Sequence, residues 1–184
     1  VTDKTGKAIV IEKTKEGFKV YENKVGVMTN APSFDWHITN LRQYMNATPV
    51  QPTSANWSDL ELTPLGSATG GIGLPGDFSS PSRFVRVAFL RAQILMEDIE
   101  NDGIIEFFHI LNNVAMVKGS VITKDGKDEI TQYSSCMNLE KGLYYYKSYN
   151  NNQINMLDMH KEDLDGSEMK IFPYNDVQVV NLLN

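Results

Sequence analysis

The sequence is short of cysteine, of basic charge and of long apolar runs. Cys136 is the only cysteine among its 184 residues, so no disulfide can form within the chain, which suits a reducing compartment. Acidic residues outnumber basic ones by 23 to 17, and the net charge of −6, with no Lys/Arg-rich stripe, argues against nucleic-acid binding. No apolar run approaches the roughly 18 residues that span a bilayer, so no membrane segment is predicted.

At the N-terminus there is neither a methionine nor a signal segment. Val1 and Thr2 lead straight into the turn sequence at residues 3–6, and the apolar run at 8–12 is typical of a strand. A turn of this kind normally joins two strands, yet only two residues precede it. We therefore expect the chain to begin inside a hairpin of a longer protein; the alternative is a short natural edge strand.

Hydrophobic periodicity predicts strands first, then helices, then strands again. The predicted strands are short apolar or alternating runs, and they lie at residues 8–12, 18–22, 25–29, 120–123, 129–135, 143–149, 154–159 and 177–183. The spacing of Phe34, Ile38, Leu41 and Met45 predicts a first helix, with Ser33 as its N-cap. This order predicts an α+β fold in which helices form a layer on antiparallel sheet.

Two further helices and one long loop complete the predicted organisation. Ser80 can cap a second helix that has Pro81 in its first turn and runs to about residue 99. A third helix, more apolar and more buried, is predicted from residue 104 to about 117. The loop at residues 47–81 is rich in Pro, Gly, Ser and Thr, and long loops of this kind are often functional or contact another subunit.

Arg83 breaks a local rule, which makes it a candidate site residue. With Pro81 at the start of the helix, Arg83 lies in the first turn, where a cation opposes the helix dipole. Together with the helix N-terminus, its guanidinium would form an electropositive spot for a carboxylate or a thiolate. The alternative is a solvent-exposed arginine paired with Asp77.

Asn30 is the second candidate, because it ends a predicted strand immediately before Ala31-Pro32-Ser33 turns the chain into a helix. Residues at strand ends and in the loops after them often form sites, and a side-chain amide can donate a hydrogen bond into an oxyanion hole. Ordinary turn chemistry, in which asparagine is favoured, is the alternative interpretation.

The remaining candidates are weaker. Cys136 lies within a predicted strand segment and is interpreted as a buried structural thiol. His37, His109 and His160 lack metal-ligand spacing, and packing accounts for His37, so no metal or other cofactor is predicted. The Gly-rich stretch at 66–73 lacks the Lys-Ser/Thr pair of a phosphate loop. Taken alone, the residues give no complete catalytic constellation.

Four segments, in order and spacing, resemble the choloylglycine hydrolase family, which includes conjugated bile acid hydrolases and penicillin V acylases. They are VMTNAPSFDWHITNL at 27–41, LELTPLG at 60–66, GLPGDFSSPSRF at 73–84, and YSSC at 133–136 with GLYYY at 142–146. Each segment alone is modest evidence, but the set covers nearly the whole chain.

This resemblance implies a fold and a mechanism. The family has the N-terminal-nucleophile hydrolase fold, a four-layer αββα sandwich, in which processing exposes a cysteine as the first residue. Its thiol attacks a linear amide, its own α-amino group acts as the base, and water releases the acid from an acyl-enzyme. In bile salt hydrolases the products are a free bile acid and glycine or taurine.

Two of the family's site residues match positions marked above on physical grounds. The resemblance makes Asn30 an oxyanion-hole donor and Arg83 an arginine that lies against the catalytic thiol. The loop at 47–81 matches the segment that reaches over a neighbouring subunit, which implies a homotetramer or at least a dimer. The compartment, bacterial cytoplasm or periplasm, stays open.

The chain departs from the family in one large respect. The nucleophilic cysteine, the charged residues near it and the second oxyanion donor belong to roughly the first half of the family's chain, and none has a match here. Residues 1–184 are thus expected to be the C-terminal half of a single domain, inactive without the N-terminal half as its partner. The expected substrate is a conjugated bile acid, or alternatively another N-acyl amide such as penicillin V.

Two readings of other classes also stay open. One is a non-catalytic remnant or assembly module, which predicts self-association through unpaired strand edges and no hydrolysis. The other is a thiol enzyme that uses Cys136, in which bound substrate would protect the thiol from alkylation.

Overall fold

The computed structural model describes residues 1–3, 5–96 and 102–184. The chain forms two compact units, one made of Val1 with residues 8–95 and the other of residues 2–7 with residues 96–184. No helix within the described ranges has the length and the apolar character needed to cross a membrane.

The first unit contains two hairpins and two helices. Their bounds are β1 Ile9–Thr14, β2 Gly17–Glu22, α1 Phe34–Asn40, β3 Ala55–Trp57, β4 Leu60–Leu62 and α2 Ser80–Gln93. A 3₁₀ turn at Leu41–Tyr44 extends α1, so the predicted first helix and its start are confirmed. The second helix has Pro81 in its first turn as predicted, but it starts at Ser80, and its N-cap is Ser79 and not Ser80.

The hairpin of β1 and β2 is apolar on both faces. On one face Val10 lies opposite Tyr21, and both side chains pack into the core of the unit. On the other face Ile11 lies opposite Val20, and these two are 51% and 62% exposed. Because neighbouring side chains along a strand alternate between faces, the same register produces both apolar faces.

Aromatic and aliphatic side chains from the hairpin and both helices form the core of the first unit. The buried members are Val10, Val27, Phe34, Phe84 and Ala88. Phe84 is fully buried, and complete burial of such a side chain stabilises a fold by about 1.5–3 kcal/mol. The core therefore fixes the start of α1 and the first turns of α2 against the hairpin.

Two local predictions in this unit were wrong. No strand forms at residues 25–29, because the side chain of Asn23 bonds the amide of Gly26 and the carbonyl of Val27 and bends the chain. Ser33 has the N-cap position of α1, but its hydroxyl bonds the side chain of Asp35 and makes no cap.

The second helix and the long loop also differ from prediction. Helix α2 ends at Gln93 and Ile94 is extended, whereas the prediction ran to about residue 99, of which 97–99 lie outside the described residues. Leu95 is exposed, so no packing supports a further turn. The segment 47–81 is not structureless, since it holds the hairpin of β3 and β4 and a 3₁₀ turn at Thr69–Gly71.

The second unit packs one helix on a three-stranded antiparallel sheet. Its elements are α3 Asp102–Asn112, β5 Tyr133–Asn138, β6 Leu143–Ser148 and β7 Asn155–Asp158, with the strands in the order β5-β6-β7. Phe108 of α3 is buried, and the ammonium group of Lys147 lies 5.7 Å from the centre of its ring. The predicted strands at 143–149 and 154–159 are confirmed.

Other predictions for this unit were wrong. Helix α3 stops at Asn112 and exposes Ile105 and Phe107, so it is shorter and less buried than predicted. Around the turn at 125–126 there is one isolated bridge in place of two strands, and β5 starts only at Tyr133. Residues 177–183 are irregular and exposed: the side chains of Asn150 and Asn151 donate to Asp176 and Asn175, and the backbone amide of Asn152 donates to the side chain of Gln178, so no backbone ladder forms here.

Candidate functional site

Asn30 and Arg83 meet in the first unit. The Nη2 atom of Arg83 donates a 2.7 Å hydrogen bond to Oδ1 of Asn30, although 53 positions separate the two residues in sequence. Arginine has only donors, so this contact must use the amide oxygen of Asn30 and leaves the amide nitrogen pointing elsewhere. The structure thus brings together the two residues that the sequence had marked separately.

The N-terminal turn of α2 holds the guanidinium of Arg83. Its Nε atom donates to the backbone oxygen of Phe78 at 3.0 Å, so the two sides of the fork have different partners. Ser79 is the N-cap, and its hydroxyl oxygen accepts from the amide of Ser82. Because Arg83 lies one turn from this cap, its charge adds to the positive end of the helix dipole.

Asp77 stabilises the segment that precedes α2. Its carboxylate accepts from the backbone amide of Ser79 at 2.8 Å and from the hydroxyl of Ser82 at 2.6 Å. Hydrogen bonds from Ser79 first, and then from Ser82, hold the pKa of Asp77 well below its ordinary value of 3.8. Asp77 therefore bonds its local turn, and the alternative in which it pairs with Arg83 at the surface is wrong.

Arg86 ties the same segment to the helix one turn further on. Its Nη1 atom donates to the backbone oxygens of Pro75 and Asp77, at 2.8 and 2.6 Å. Burial lowers the pKa of its guanidinium, which nevertheless stays charged at neutral pH because arginine starts far above it. Residues 75–79 are thus held by side chains of α2 at two places.

His37 holds the backbone of Asn30. The imidazole is fully buried and stacks on Phe84, with ring centroids 4.5 Å apart and an interplanar angle of 9°. Its Nε2 atom lies 3.0 Å from the backbone oxygen of Asn30 and 3.4 Å from Oγ1 of Thr29. Apart from their closeness in the chain, no sequence pattern linked His37 to Asn30, and packing explains only part of the position of His37.

A pair of hydroxyl groups joins the Asn30 segment to α2. Ser80 Oγ donates to Thr29 Oγ1 at 3.0 Å, and Thr29 Oγ1 lies 3.2 Å from the backbone oxygen of Ser80. The peptide bond between Ala31 and Pro32 is cis. The Asn30 segment is therefore held by both helices. Helix α1 holds the backbone of Asn30 through His37, and α2 holds its side chain through Arg83 and its neighbour Thr29 through Ser80.

The geometry suits the binding of a developing negative charge. Within the described part of the chain, no hydrogen bond occupies the Nδ2 atom of Asn30, and the residue is exposed. An amide donor beside a guanidinium and a helix N-terminus can stabilise an oxyanion or a thiolate. The same residues offer no nucleophile and no general base.

Cys136 and the other histidines form no comparable site. Cys136 lies on β5 opposite Tyr145, and burial raises the pKa of its thiol, which disfavours the reactive thiolate. The described residues contain no group of three or more His, Cys, Asp or Glu side chains arranged to hold a metal ion.

The chain matches the sequence family described as linear amide C–N hydrolases, choloylglycine hydrolase family, over residues 1–172. It is 53% identical over 184 residues to bile salt hydrolase/transferase from Clostridium perfringens, with 100% of this chain and 56% of that protein covered. It is 44% identical over 173 residues to bile salt hydrolase/transferase from Lactiplantibacillus plantarum, covering 94% of this chain and 53% of the relative. The chain spans about half the length of the curated relatives it matches.

The chain is also similar to solved structures. A cysteine-to-alanine mutant of conjugated bile acid hydrolase from Clostridium perfringens matches with a TM-score of 0.89 and 54% identity, over 98% of this chain and 55% of that one. Penicillin V acylase from Agrobacterium tumefaciens matches with a TM-score of 0.62 and 21% identity, over 85% and 43% of the two chains, and this likeness concerns the fold alone. The predicted α+β class and N-terminal-nucleophile hydrolase fold are confirmed.

Proposed function

Because the chain belongs to the choloylglycine hydrolase family of linear amide C–N hydrolases, we propose that it supplies part of the active site of an enzyme that deconjugates bile acids. The observation that carries this proposal is the 2.7 Å contact between Arg83 and Asn30, which leaves an amide donor beside a fixed cation. The rest of the site comes from the part of the protein that its longer relatives have in addition to the matched segment.

In this proposal Asn30 is an oxyanion-hole donor. Its Nδ2–H group donates to the carbonyl oxygen of the scissile amide as that oxygen gains negative charge. The contacts to Arg83 and His37 hold the amide in place before the reaction, so little reorganisation is needed when the charge develops. Preorganised donors of this kind act most strongly on the transition state, which is how they raise the rate.

Arg83 has two roles in the same proposal. Through Nη2 it fixes the amide of Asn30 so that the nitrogen, and not the oxygen, faces the substrate. Its charge, next to the N-terminus of α2, favours a thiolate over a thiol at a nearby cysteine. The bond from Nε to Phe78 keeps the guanidinium plane from rotating away.

The nucleophile in this mechanism is an N-terminal cysteine outside the matched segment. Its sulfur forms a bond to the amide carbon, the carbonyl electrons move to oxygen, and the resulting oxyanion faces Asn30. Collapse breaks the C–N bond, and the leaving amine takes a proton. Water then attacks the thioester, which breaks the C–S bond and releases the acid together with the free thiol.

The substrate assignment rests on the relatives. The proteins from Clostridium perfringens and Lactiplantibacillus plantarum are described as bile salt hydrolase/transferase, at 53% and 44% identity. A penicillin V acylase is the second candidate, but the similarity to that solved structure is 21% in sequence and extends to the fold only. We therefore favour glycine and taurine conjugates of bile acids over penicillin V.

The open apolar face of the first hairpin supports the need for a partner segment. Ile11 and Val20 lie opposite each other on this face, and Phe18 is 74% exposed. In a four-layer sandwich a second sheet covers such a face. We propose that residues 1–184 form the C-terminal half of one domain and that the chain alone is inactive.

Residues 47–81 are proposed to contact a neighbouring subunit. The hairpin of β3 and β4 is exposed along its whole length, and Trp57 and Leu60 remain 74% and 60% exposed. Exposed aromatic and leucine side chains on one hairpin are typical of an interface. The proposed assembly is a homotetramer or at least a dimer.

A hybrid enzyme tests the proposed function directly. In it, this 184-residue chain replaces the matching segment of the bile salt hydrolase/transferase from Clostridium perfringens, which the identity of 53% makes feasible. We expect the hybrid to release glycine from glycocholate faster than phenoxyacetic acid from penicillin V, and the isolated chain to release neither.

Three outcomes would count against the proposal. A folded hybrid with no glycine release would overturn the assignment of activity, and preference for penicillin V would overturn the substrate. Glycine release by the isolated chain at the rate of the hybrid would show that no second segment is needed. Light scattering of the hybrid, with Trp57→Ser as the variant and Trp36→Ser as a matched control, tests the assembly role of the loop.

A further inference from the structure

The backbone of Asn30 lies in a stretch without regular secondary structure. Residues 26–33 belong to neither a strand nor a helix, so no ladder or helix partner is available to the backbone oxygen of Asn30. A backbone oxygen in such a segment needs a partner from elsewhere to stay in one position. The imidazole of His37, which lies 3.0 Å away, provides that partner.

The contacts of His37 show which ring nitrogen donates to Asn30. A backbone oxygen can only accept, so Nε2 must carry the proton that it donates to Asn30. Nδ1 is buried and has no hydrogen-bond partner among the residues that the structure describes. Nε2 is therefore the atom through which the ring donates to Asn30.

Among the residues that the structure describes, the groups in contact with His37 come from α1, α2 and the segment before α1, and none of them carries a negative charge. Phe84 of α2 stacks on one face, and Trp36 of α1 meets the ring edge-on at 5.6 Å between centroids. From the segment before α1, Thr29 adds a hydroxyl group 3.4 Å from Nε2. Packing alone could be satisfied by phenylalanine, whereas the contact with Asn30 requires a donor at the position of Nε2.

We propose that His37 is a positioning residue for the oxyanion hole, an inference that rests on the proposed role of Asn30 as the donor. His37 fixes the backbone of Asn30 while Arg83 fixes its amide group, so the two ends of one residue are held by two helices. Loss of either contact moves the Nδ2 donor away from the oxyanion. His37 itself touches no substrate atom and acts only through Asn30.

Three substitutions in the hybrid enzyme separate this role from packing. His37→Phe keeps the ring that stacks on Phe84 and removes the donor. His37→Gln places an amide nitrogen near the position of Nε2, whereas the shorter His37→Asn places it near Nδ1. We expect kcat for glycocholate to fall about 10- to 100-fold in His37→Phe and His37→Asn, with KM nearly unchanged, because misplaced groups lose rate in this range. His37→Gln should recover most of kcat.

The outcomes decide the inference separately from the proposed function. Asn30→Ala is measured beside the His37 variants: if it lowers kcat and His37→Phe does not, the positioning role is wrong and the oxyanion role stands. If Asn30→Ala has no effect, the proposed function fails first. If His37→Phe does not fold, the positioning role is tested by comparing His37→Gln with His37→Asn. Equal kcat values for these two variants would contradict the need for a donor at the position of Nε2.

Discussion

The guanidinium of Arg83 donates to the amide oxygen of Asn30, and this single bond determines which end of the amide faces outward. Rotation of the amide by half a turn would bring two sets of donors together, which the contact forbids. The bond also lies between a residue of an irregular segment and a residue in the first turns of α2. The donor that the proposed chemistry requires is thus oriented by a contact within this chain.

Replacement of Asn30 tests the donor itself. In the hybrid enzyme Asn30→Ala should lower kcat about 10²–10³-fold, the usual cost of an oxyanion donor. Asn30→Asp should be at least as damaging, because it keeps an oxygen for Arg83 but has no N–H group and adds negative charge. Steady-state kinetics with glycocholate measure both, with Asn46→Ala as an exposed control. If the activity of Asn30→Asp is close to that of the parent enzyme, Asn30 is not the oxyanion-hole donor.

Replacement of Arg83 tests whether its guanidinium must bond Phe78 and Asn30 at the same time. Arg83→Lys keeps the charge but cannot bond both Phe78 and Asn30, so we expect a partial loss of kcat. Arg83→Met removes the charge as well and should reduce activity further. Reaction of the nucleophilic cysteine with iodoacetamide over a range of pH gives a second measurement, and its apparent pKa should be higher in Arg83→Met. If Lys and Met variants behave alike, charge has no part in the role of Arg83.

The carboxylate of Asp77 gives the fold an acid-sensitive contribution. Its pKa in the folded chain is depressed below 3.8, mainly by hydrogen bonds from Ser79 and Ser82. The stabilisation of the fold by the Asp77 carboxylate is therefore fully present above pH 3.8. It is lost as the pH falls below 3.8 toward the pKa of Asp77 in the folded chain. We expect Asp77→Asn to flatten the fall in urea midpoint between about pH 5 and pH 2.5. Asp59→Asn, in the exposed turn between β3 and β4, is the control and should leave the slope unchanged.

Glu12 caps α1 from a neighbouring strand. Both of its carboxylate oxygens accept from the backbone amide of Phe34, at 3.0 and 3.1 Å. Glu12→Ala removes this cap and should lower the free energy of unfolding by about 1 kcal/mol. Glu12→Gln retains one acceptor and should lose about half of that. Thermal unfolding of the hybrid measures both, and equal stability of the alanine variant and the parent would contradict the capping role.

Gly70 is needed for the fold of the loop at 47–81. A Cβ atom there would lie 2.4 Å from the backbone oxygens of Thr48 and Val50, so the loop must shift to accept any side chain. Gly70→Ala should therefore increase proteolysis within 47–81 and, if the loop contacts a subunit, lower the assembled fraction. Gly66→Ala is the matched control, because a Cβ at that position meets no atom within 4 Å. Equal rates of cleavage in the two variants would rule out the steric argument.

The positions of several helices and strands could be predicted from local sequence. The start of α1 followed from periodicity and a cap position, the first turn of α2 followed from Pro81, and the strands at 143–149 and 154–159 followed from alternation. The segments 27–41 and 73–84 led to the family, and they contain both candidate site residues. Patterns of this kind are local, because helix and strand periods and caps involve residues a few positions apart.

Other features were decided only by tertiary structure. The cap of α1 comes from Glu12, 22 positions away, and not from Ser33. The predicted end of α2 and the final strand at 177–183 failed because their continuation depended on packing that the fold does not provide. The free-energy difference from intrinsic helix propensity is small compared with that from burying apolar side chains, so tertiary contacts override the propensity.

The sequence by itself determined the family and the two residues Asn30 and Arg83, because residue types at a fixed spacing are visible without coordinates. The structure decided that these residues touch, which end of the Asn30 amide faces outward, and that His37 lies fully buried behind it. These facts depend on distances between positions as far apart as 53 residues, which are set when the hairpin, α1 and α2 pack on one core. Local patterns carry no information on such distances, since they arise only from the packing of the whole unit.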